Sequence, residues 1–395
     1  MRRIYLDHAA TTSLDKRVFE KMTPYFLDVY GNANSQHGYG RDAQKAVDTA
    51  RDSIAKLIGA KPNEIYFTSG GTESDNWALR GAVKALKEKG NHVIISCIEH
   101  AAMLSTAKEL EKEGVEFSYI GVDEQGFIDL EELKNAIRPN TILISCMYAN
   151  NEIGTIEPIS EIVKIAKEHG ILVHTDAVQA MGAIDVNVAT LGVDMLSFSA
   201  HKFNGPKGVG ALYIKNGIPM ARLISGGHQE RTRRGGTTNV PGVVGFAEAL
   251  RLTKESMAKD NEYVAKLRDR FVERVEKEIP FVKLNGARDF SKRLPSNADF
   301  SFEFIEGESI LFSLDMDGIA VSSGSACSSG SLEPSHVLLA IGLSEEKAHG
   351  TIRFSFGKEN TMEEVDYVVD TLKSTIARLR EMSPLFKLKG EDKNV

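Results

Sequence analysis

Cysteine is scarce in this chain: three residues, at 97, 146 and 327, among 395. Three thiols can form neither a disulfide scaffold nor a four-cysteine zinc site, so a reducing compartment and a cytoplasmic location are expected. Long apolar runs are missing as well. The stretch 141–149 is about half the ~20 residues that a membrane helix needs, and no membrane partner is expected. The start, MRRIYLDHAATT, has basic residues but no apolar run behind them, so no secretory leader is expected. Cationic excess is absent too: 48 Lys and Arg face 55 Asp and Glu, a net charge of −7, which argues against nucleic acid as a partner. No internal repeat or heptad pattern appears. What is present is ordinary for a globular protein, 42% apolar and 26% charged residues, in a length that suits two or three domains.

From residue 42 to 275 helical and strand patterns alternate. Residues 42–58 space Ala43, Ala46, Val47, Ala50, Ile54, Leu57 and Ile58 along one helix face, and Gly59 ends the run. Residues 65–67 predict a short strand, followed by Ser69-Gly70-Gly71-Thr72 and a helix over roughly 73–88. Buried strands are predicted at 93–96, 141–147, 171–174, 195–199 and 210–214, with amphipathic stretches such as 129–138 and 158–169 among them. This rhythm predicts an α/β fold, a mostly parallel sheet with crossover helices. After Pro241 a long charged helix, about 242–279, leads into short strands (298–304, 320–322, 351–355) and helices (307–316, 361–382) that suit a smaller α+β unit. The polar end, 387–395, is expected to fray.

Open parallel sheets bind ligands beyond the carboxyl ends of their strands. After the first predicted strand comes Gly70-Gly71-Thr72 at a helix start, where backbone N–H groups and the helix dipole favour a phosphate. A plain tight turn is the alternative, with Thr72 as N-cap and Asp75 completing something close to a capping box; both can hold at once. The later strands are followed by Glu99-His100, by Asn150-Asn151-Glu152, by Thr175-Asp176-Ala177-Val178-Gln179 and by Ser199-Ala200-His201-Lys202. Each alone has a bland reading as a turn, a structural histidine or a solvated charge. Together they place a carboxylate one strand from a lysine, beside a phosphate cradle. Pyridoxal phosphate requires that set: the lysine for a Schiff base, the aspartate to keep the pyridine nitrogen protonated, the cradle for the phosphate.

The motifs carry a closer likeness. In order they are YLDHAATT (5–12), GNANSQH (31–37), TSGGTES (68–74), Glu99-His100, ANNEIGT (149–155), HTDAVQ (174–179), SAHKFNGPKGVG (199–210), GGHQE (226–230), RGGTTNVPG (234–242), SSGSACSSGSLEPSHV (322–337) and Ile352-Arg353. On these the chain resembles the cysteine desulfurases of the NifS/IscS-like branch of the class V aminotransferase family, enzymes that depend on pyridoxal phosphate. The resemblance implies the type I fold of such transferases, with a large cofactor domain at 13–255. A small domain, from 1–12 and 256–395, would carry the cysteine loop (about 322–336) and Arg353. It implies pyridoxal 5′-phosphate as cofactor, in a covalent aldimine with Lys202. Asp176 would pair with the ring nitrogen and His100 would stack on the ring and move protons. Gln179 would bond the ring hydroxyl, and Asn151 would lie near that hydroxyl and the substrate carboxylate. Gly71, Thr72, Ser199 and His201 would hold the phosphate, joined by Thr237 from the other subunit of a homodimer. Arg353 would clamp the substrate carboxylate, as a bidentate guanidinium can. Two departures stand out: His8-Ala9 differs from many relatives, and Arg234-Gly235-Gly236-Thr237 replaces a common Arg-Ser-Gly-Thr.

Cys327 lies in a segment of serine, glycine and alanine with no bulky side chain, which predicts a mobile loop. By resemblance its thiolate attacks the sulfur of L-cysteine, leaving L-alanine and a persulfide. An iron–sulfur scaffold or another acceptor protein would then take that sulfur. No intrinsic metal is expected, although Cys327 could share an iron–sulfur cluster with such a scaffold. Cys97 and Cys146 fall in apolar runs and are expected to be inert core residues. The alternatives are a selenocysteine lyase or cysteine-sulfinate desulfinase, which the Ser/Gly-rich loop disfavours, and a non-catalytic scaffold of the same fold. Lys202, Asp176 and Cys327 all being present argues against the last.

Overall fold

The computed structural model describes residues 3–323, 333–384 and 386. The chain opens with β1 (Ile4–Tyr5), α1 (Lys16–Met22), α2 (Pro24–Leu27) and α3 (Gly38–Ile58). Then β2 (Ile65–Thr68), α4 (Gly71–Leu86), β3 (His92–Ser96), α5 (Ala101–Lys112), β4 (Glu116–Ile120), α6 (Leu130–Asn135), β5 (Thr141–Ser145), α7 (Ile159–Glu168), β6 (Leu172–Asp176), α8 (Val188–Leu191), β7 (Met195–Ser199) and β8 (Gly210–Ile214) alternate. The 39-residue α9 (Val240–Glu278) follows. The remainder holds β9 (Val282–Leu284), β10 (Asn297–Phe302), α10 (Gly307–Met316), β11 (Ile319–Ala320), β12 (Ser322–Ser323), α11 (His336–Ala340), α12 (Glu345–His349), β13 (Thr351–Ser355) and α13 (Met362–Met382).

Seven strands form one sheet in the order β2-β8-β7-β6-β5-β3-β4. The pairs from β4 across to β7 are parallel, whereas β8 runs antiparallel to both β7 and β2, so one strand is reversed. Successive residues face opposite layers. Ile94, Leu196, Phe198, Ala211 and Tyr213 pack in one cluster with α3, α7 and the start of α9. Val93, Ile95, Met195, Leu212 and Ile214 pack in another with Trp77 of α4 and Met103 of α5. Covering both faces makes the central strands buried along almost their whole length and largely apolar, which is why their runs were visible in the sequence. A second sheet, β12-β13-β10-β9, packs on α10, α13 and the far part of α9 around Phe271, Phe300 and Phe354. Thus α9 serves the first cluster through Leu250 and the second from Val264 onward.

The structure corrects several boundaries. Helix α3 starts before the expected residue 42 because His37 caps it, its Nδ1 accepting from Gly40 N at 3.3 Å; Gly59, at φ +72°, ends it as expected. Thr72 is not an N-cap. That position is Gly70, and Glu73 closes the turn by accepting from Ser69 N at 2.8 Å. The expected strand at 320–322 is two, because the chain passes at Val321 from pairing with β1 to pairing with β13. Strand β4 went unseen because it is an edge strand with polar, half-exposed positions, and β9 because it has three residues.

The turn before α4 depends on a close backbone approach. A Cβ on Gly210 of β8 would lie 2.7 Å from Gly70 Cα and 2.8 Å from Phe198 O, both backbone atoms that cannot rotate away. Gly210→Ala is therefore expected to lower stability by about 1–3 kcal/mol. Urea unfolding checks this; an unchanged midpoint would contradict the account of that turn.

Candidate active site

Beyond the carboxyl ends of the parallel strands lies a cavity of about 300 Å³. Gly71, Thr72, His100, Asn151, Asp176, Gln179, Ser199, His201, Lys202 and Arg353 all reach its wall. They come from separate parts of the chain, and the strand order brings them together. Asp176 is the last residue of β6, Ser199 the last of β7, and the chain then turns through a 3₁₀ segment, Ala200–Lys202. Since β6 pairs in parallel with β7, the carboxylate and the amine emerge on the same side, one strand apart.

The polar contacts set each group. Lys202 Nζ donates to Ala9 O at 2.5 Å and Ala10 O at 2.9 Å, and Gln179 Nε2 donates to Ala9 O at 2.9 Å. Asp176 Oδ1 accepts from Val178 N at 2.8 Å. Burial pushes the Asp176 carboxyl above its ordinary range, opposed by His100, the Val178 N–H and Lys202. His100 caps α5, its Nδ1 accepting from Ala102 N at 3.1 Å, which places the ring proton of the neutral imidazole on Nε2. Burial lowers its pKa, Asp176 raises it and Lys202 lowers it again, so the neutral form prevails near pH 7. His201 meets Thr11 Oγ1 at 3.1 Å, and burial, Lys202 and Lys207 bring its pKa down to about 4.

Arg353, on β13, is buried at 4% exposure rather than solvated. Its Nη1 donates to Asn151 O at 2.9 Å and its Nη2 to Asp7 Oδ1 at 2.9 Å, but its buried Nε–H has no partner among the described residues. An unpaired buried donor costs about 1–3 kcal/mol, and Arg353 itself lines the cavity, where its positive charge favours an anionic ligand.

Beneath the cavity sits a buried polar layer. His174 bonds Ser145 Oγ and Ser197 Oγ, each at 2.9 Å, and burial takes its pKa to about 3. It is therefore neutral, and its 3.8 Å approach to Asp75 Oδ1 is not an ion pair. Asp75 and Glu99, fully buried, are pushed well above the carboxylate range by burial and by Asp176. Asp75 also lines the cavity. Sequence reasoning had assigned it to a cap; its place in TSGGTESD, four residues past Gly71 on the inward helix face, was the available signal.

One expected residue lies elsewhere. Thr237 is exposed and away from this cavity in the single chain. Cys327 falls outside the described residues. The other thiols are poor nucleophiles: burial raises Cys146 well above its ordinary value and Cys97, with Glu132 nearby, to about 11. Cys97 corrects the expectation in part, since it sits one residue past β3 and is half-buried.

Comparison with known proteins gives a consistent set. The Aminotransferase class-V family model matches residues 4–368. The chain is 53% identical over 386 residues to a cysteine desulfurase IscS of Clostridium botulinum, covering 98% of this chain and 97% of that one. It is 55% identical over 383 residues to a cysteine desulfurase IscS of Dictyoglomus turgidum, covering 97% of each. A solved NifS-like protein superposes with a TM-score of 0.90 at 40% identity, covering 96% of this chain and all of that one.

The buried acids make stability depend on pH. Glu157 accepts from Ile128 N at 3.0 Å through Oε2 while Oε1 has no described partner, and burial raises its pKa from 4.5 to about 8. A carboxyl whose folded pKa is raised contributes stability that is full below its unfolded pKa and is lost as pH rises through the folded one. His174, with a depressed pKa, acts oppositely and contributes above about pH 6.5. Glu157→Gln keeps the shape of the protonated acid. Its advantage over wild type is expected to be about 1–3 kcal/mol larger at pH 9 than at pH 6. Unfolding curves at the two pH values check this, and equal losses from pH 6 to 9 in both proteins would contradict it.

Proposed function

The chain belongs to the class-V aminotransferase family, and from that premise we propose that it is a cysteine desulfurase, converting L-cysteine to L-alanine and passing the sulfur on for iron–sulfur cluster assembly. The observation that carries this reading is that a buried arginine, Arg353, lines the same cavity as Lys202, Asp176 and His100. An amino-acid carboxylate at one end and an amine-bearing reaction centre at the other fit that arrangement.

The residues present fit pyridoxal 5′-phosphate. Asp176 is a buried carboxyl that a protonated ring nitrogen would compensate, and Gly71 has no room for a Cβ, which would lie 2.7 Å from Val178 Cγ2. When bound, the cofactor supplies an electron sink that weakens bonds around the amino acid's Cα. Lys202 would attach it and Asp176 would hold its ring nitrogen. Gln179 and Asn151 would hold its hydroxyl. Gly71 and Thr72, at the N-terminus of the 16-residue α4, would bind its phosphate with Ser199 and His201.

The chain's own groups then divide the work. Arg353 and Asn151 fix the substrate carboxylate, and His100 holds a proton at Nε2. The thiolate of Cys327 attacks the substrate sulfur. The sulfur–carbon bond breaks with its electron pair passing to the substrate carbon, which takes up a proton to give alanine, and the sulfur stays on Cys327 as a persulfide. Cys327 would also be the residue able to share a cluster with a scaffold protein. Two copies complete the sites, with Thr237 of each reaching the phosphate in the other. The working division is a cofactor domain of 13–255 and a smaller domain of 1–12 with 256–395. The change of α9 from one apolar cluster to the other between Leu250 and Val264 supports it.

Purified protein incubated with L-cysteine and a thiol reductant is expected to release alanine and sulfide in equal amounts. Lys202→Ala is expected to lose borohydride-fixable cofactor and to cut turnover by at least about 100-fold. Alanine without sulfide, or a variant that keeps the fixable link, would contradict the reading. Light scattering on the same sample tests the role of Thr237: an active monomer removes it.

A further inference from the structure

The N-terminal segment touches both ends of the cavity. At one end Ala9 O and Ala10 O take the Lys202 amine. At the other, Asp7 Oδ1 takes Arg353 Nη2 at 2.9 Å, with Arg353 5% and Asp7 19% exposed at the side chain. The backbone there is fixed: Asp7 forms a bridge with Ser355 of β13, Ser355 N donates to Leu6 O at 2.8 Å, and Ala9 N donates to Ser355 Oγ at 2.9 Å. Asp7 thus meets Arg353 from a strand that is itself stitched to the strand of Arg353.

The other acids near the guanidinium are engaged elsewhere. Glu152 Oε2 accepts from Ser335 Oγ at 2.5 Å, and Asp299 Oδ1 accepts from Asn285 Nδ2 at 2.8 Å. Asp7 forms the ion pair recorded for Arg353 among the described residues. An arginine on a flexible stem carries about 2 kcal/mol of rotamer entropy. One bond, from Nη1 to Asn151 O, would leave its plane free to swing; a second, to Asp7, fixes the plane.

We propose that Asp7 is a positioning residue for substrate binding: by holding Nη2 it orients the Arg353 guanidinium, on the wall of the cavity, to receive the carboxylate of the amino-acid substrate. The proposal rests on the reading that L-cysteine binds through its carboxylate at Arg353. A carboxylate beside an arginine also lowers its attraction for a second anion, so two roles predict opposite signs. As a mere competitor, Asp7 would weaken substrate binding, and its removal would tighten it. As a positioner, its removal weakens binding of carboxylates alone.

The test uses the holoenzyme and two probes, 3-mercaptopropionate, which has the carboxylate but no amine, and cysteamine, which has the amine but no carboxylate. Calorimetry on Asp7→Ala is expected to show about tenfold weaker binding of 3-mercaptopropionate and a change of less than about twofold for cysteamine. In turnover, KM for L-cysteine is expected to rise about tenfold while kcat changes by less than about threefold. Asp7→Asn, which keeps an oxygen for Nη2 and nearly the same shape, is expected to fall between, and it carries the test if Asp7→Ala fails to fold. Unchanged or tighter 3-mercaptopropionate binding, or equal losses for both probes, would overturn the proposal. A wild-type holoenzyme that makes no alanine would overturn the substrate reading instead, while the two-probe comparison still judges Asp7.

Discussion

The parallel pairing of β6 with β7 is the constraint on which the rest depends. It sets Asp176 opposite Ser197 and so brings the Asp176 carboxylate and, just past Ser199, the Lys202 amine to one edge of the sheet. Both strands are covered on both faces by apolar layers, so the Asp176 carboxylate cannot retreat into water without unpacking the core. The energetic consequence is a buried acid layer: Asp75, Glu99 and Asp176 all lie above their ordinary range because burial disfavours their charged forms. Of the three, only Asp176 has His100 and Lys202 opposing the rise. The site's chemistry is thus a product of where the sheet places charge.

A second constraint runs through the chain's beginning. Residues 7–12 lie outside the large sheet yet bond Lys202, Gln179, His201 and Arg353. Carbonyl oxygens of Ala9 and Ala10 hold Gln179 and Lys202, so no side chain at 9 or 10 announces those bonds, whereas Thr11 and Asp7 use their side chains. The segment couples the small sheet, which carries Arg353, to the edge of the large one, which carries Lys202. A shift between the two sheets would therefore change the span between the amine and the guanidinium, the distance an amino-acid substrate has to match.

How much was legible in the sequence follows from these facts. Strands β5 to β8 were readable because double-sided burial writes continuous apolar runs, and the groups after them were readable because ligands collect at strand ends. The polar edge strand β4 and the short helices α11 and α12 left no periodicity to read. Asp75 was misassigned because a local capping pattern and an inward-facing helix position look alike in one dimension. Asp7 could not be linked to Arg353 at all, since the contact spans 346 residues and depends on an isolated bridge between Asp7, just past β1, and Ser355 of β13. The proposed role of Thr237 needs a second copy of the chain, and Cys327 lies outside the described residues.

The central claim is that sulfur leaves L-cysteine at this sheet edge and is received by one particular thiol. Burial favours the protonated, unreactive form of Cys97 and Cys146, which supports the proposal that Cys327 is the acceptor. The direct measurement is peptide mass spectrometry under non-reducing conditions after a pulse of L-cysteine. The account predicts one additional sulfur on the peptide containing Cys327 and none on those containing Cys97 or Cys146. Sulfur found chiefly on Cys97 or Cys146, or alanine formed with no sulfur retained on any cysteine, would contradict it.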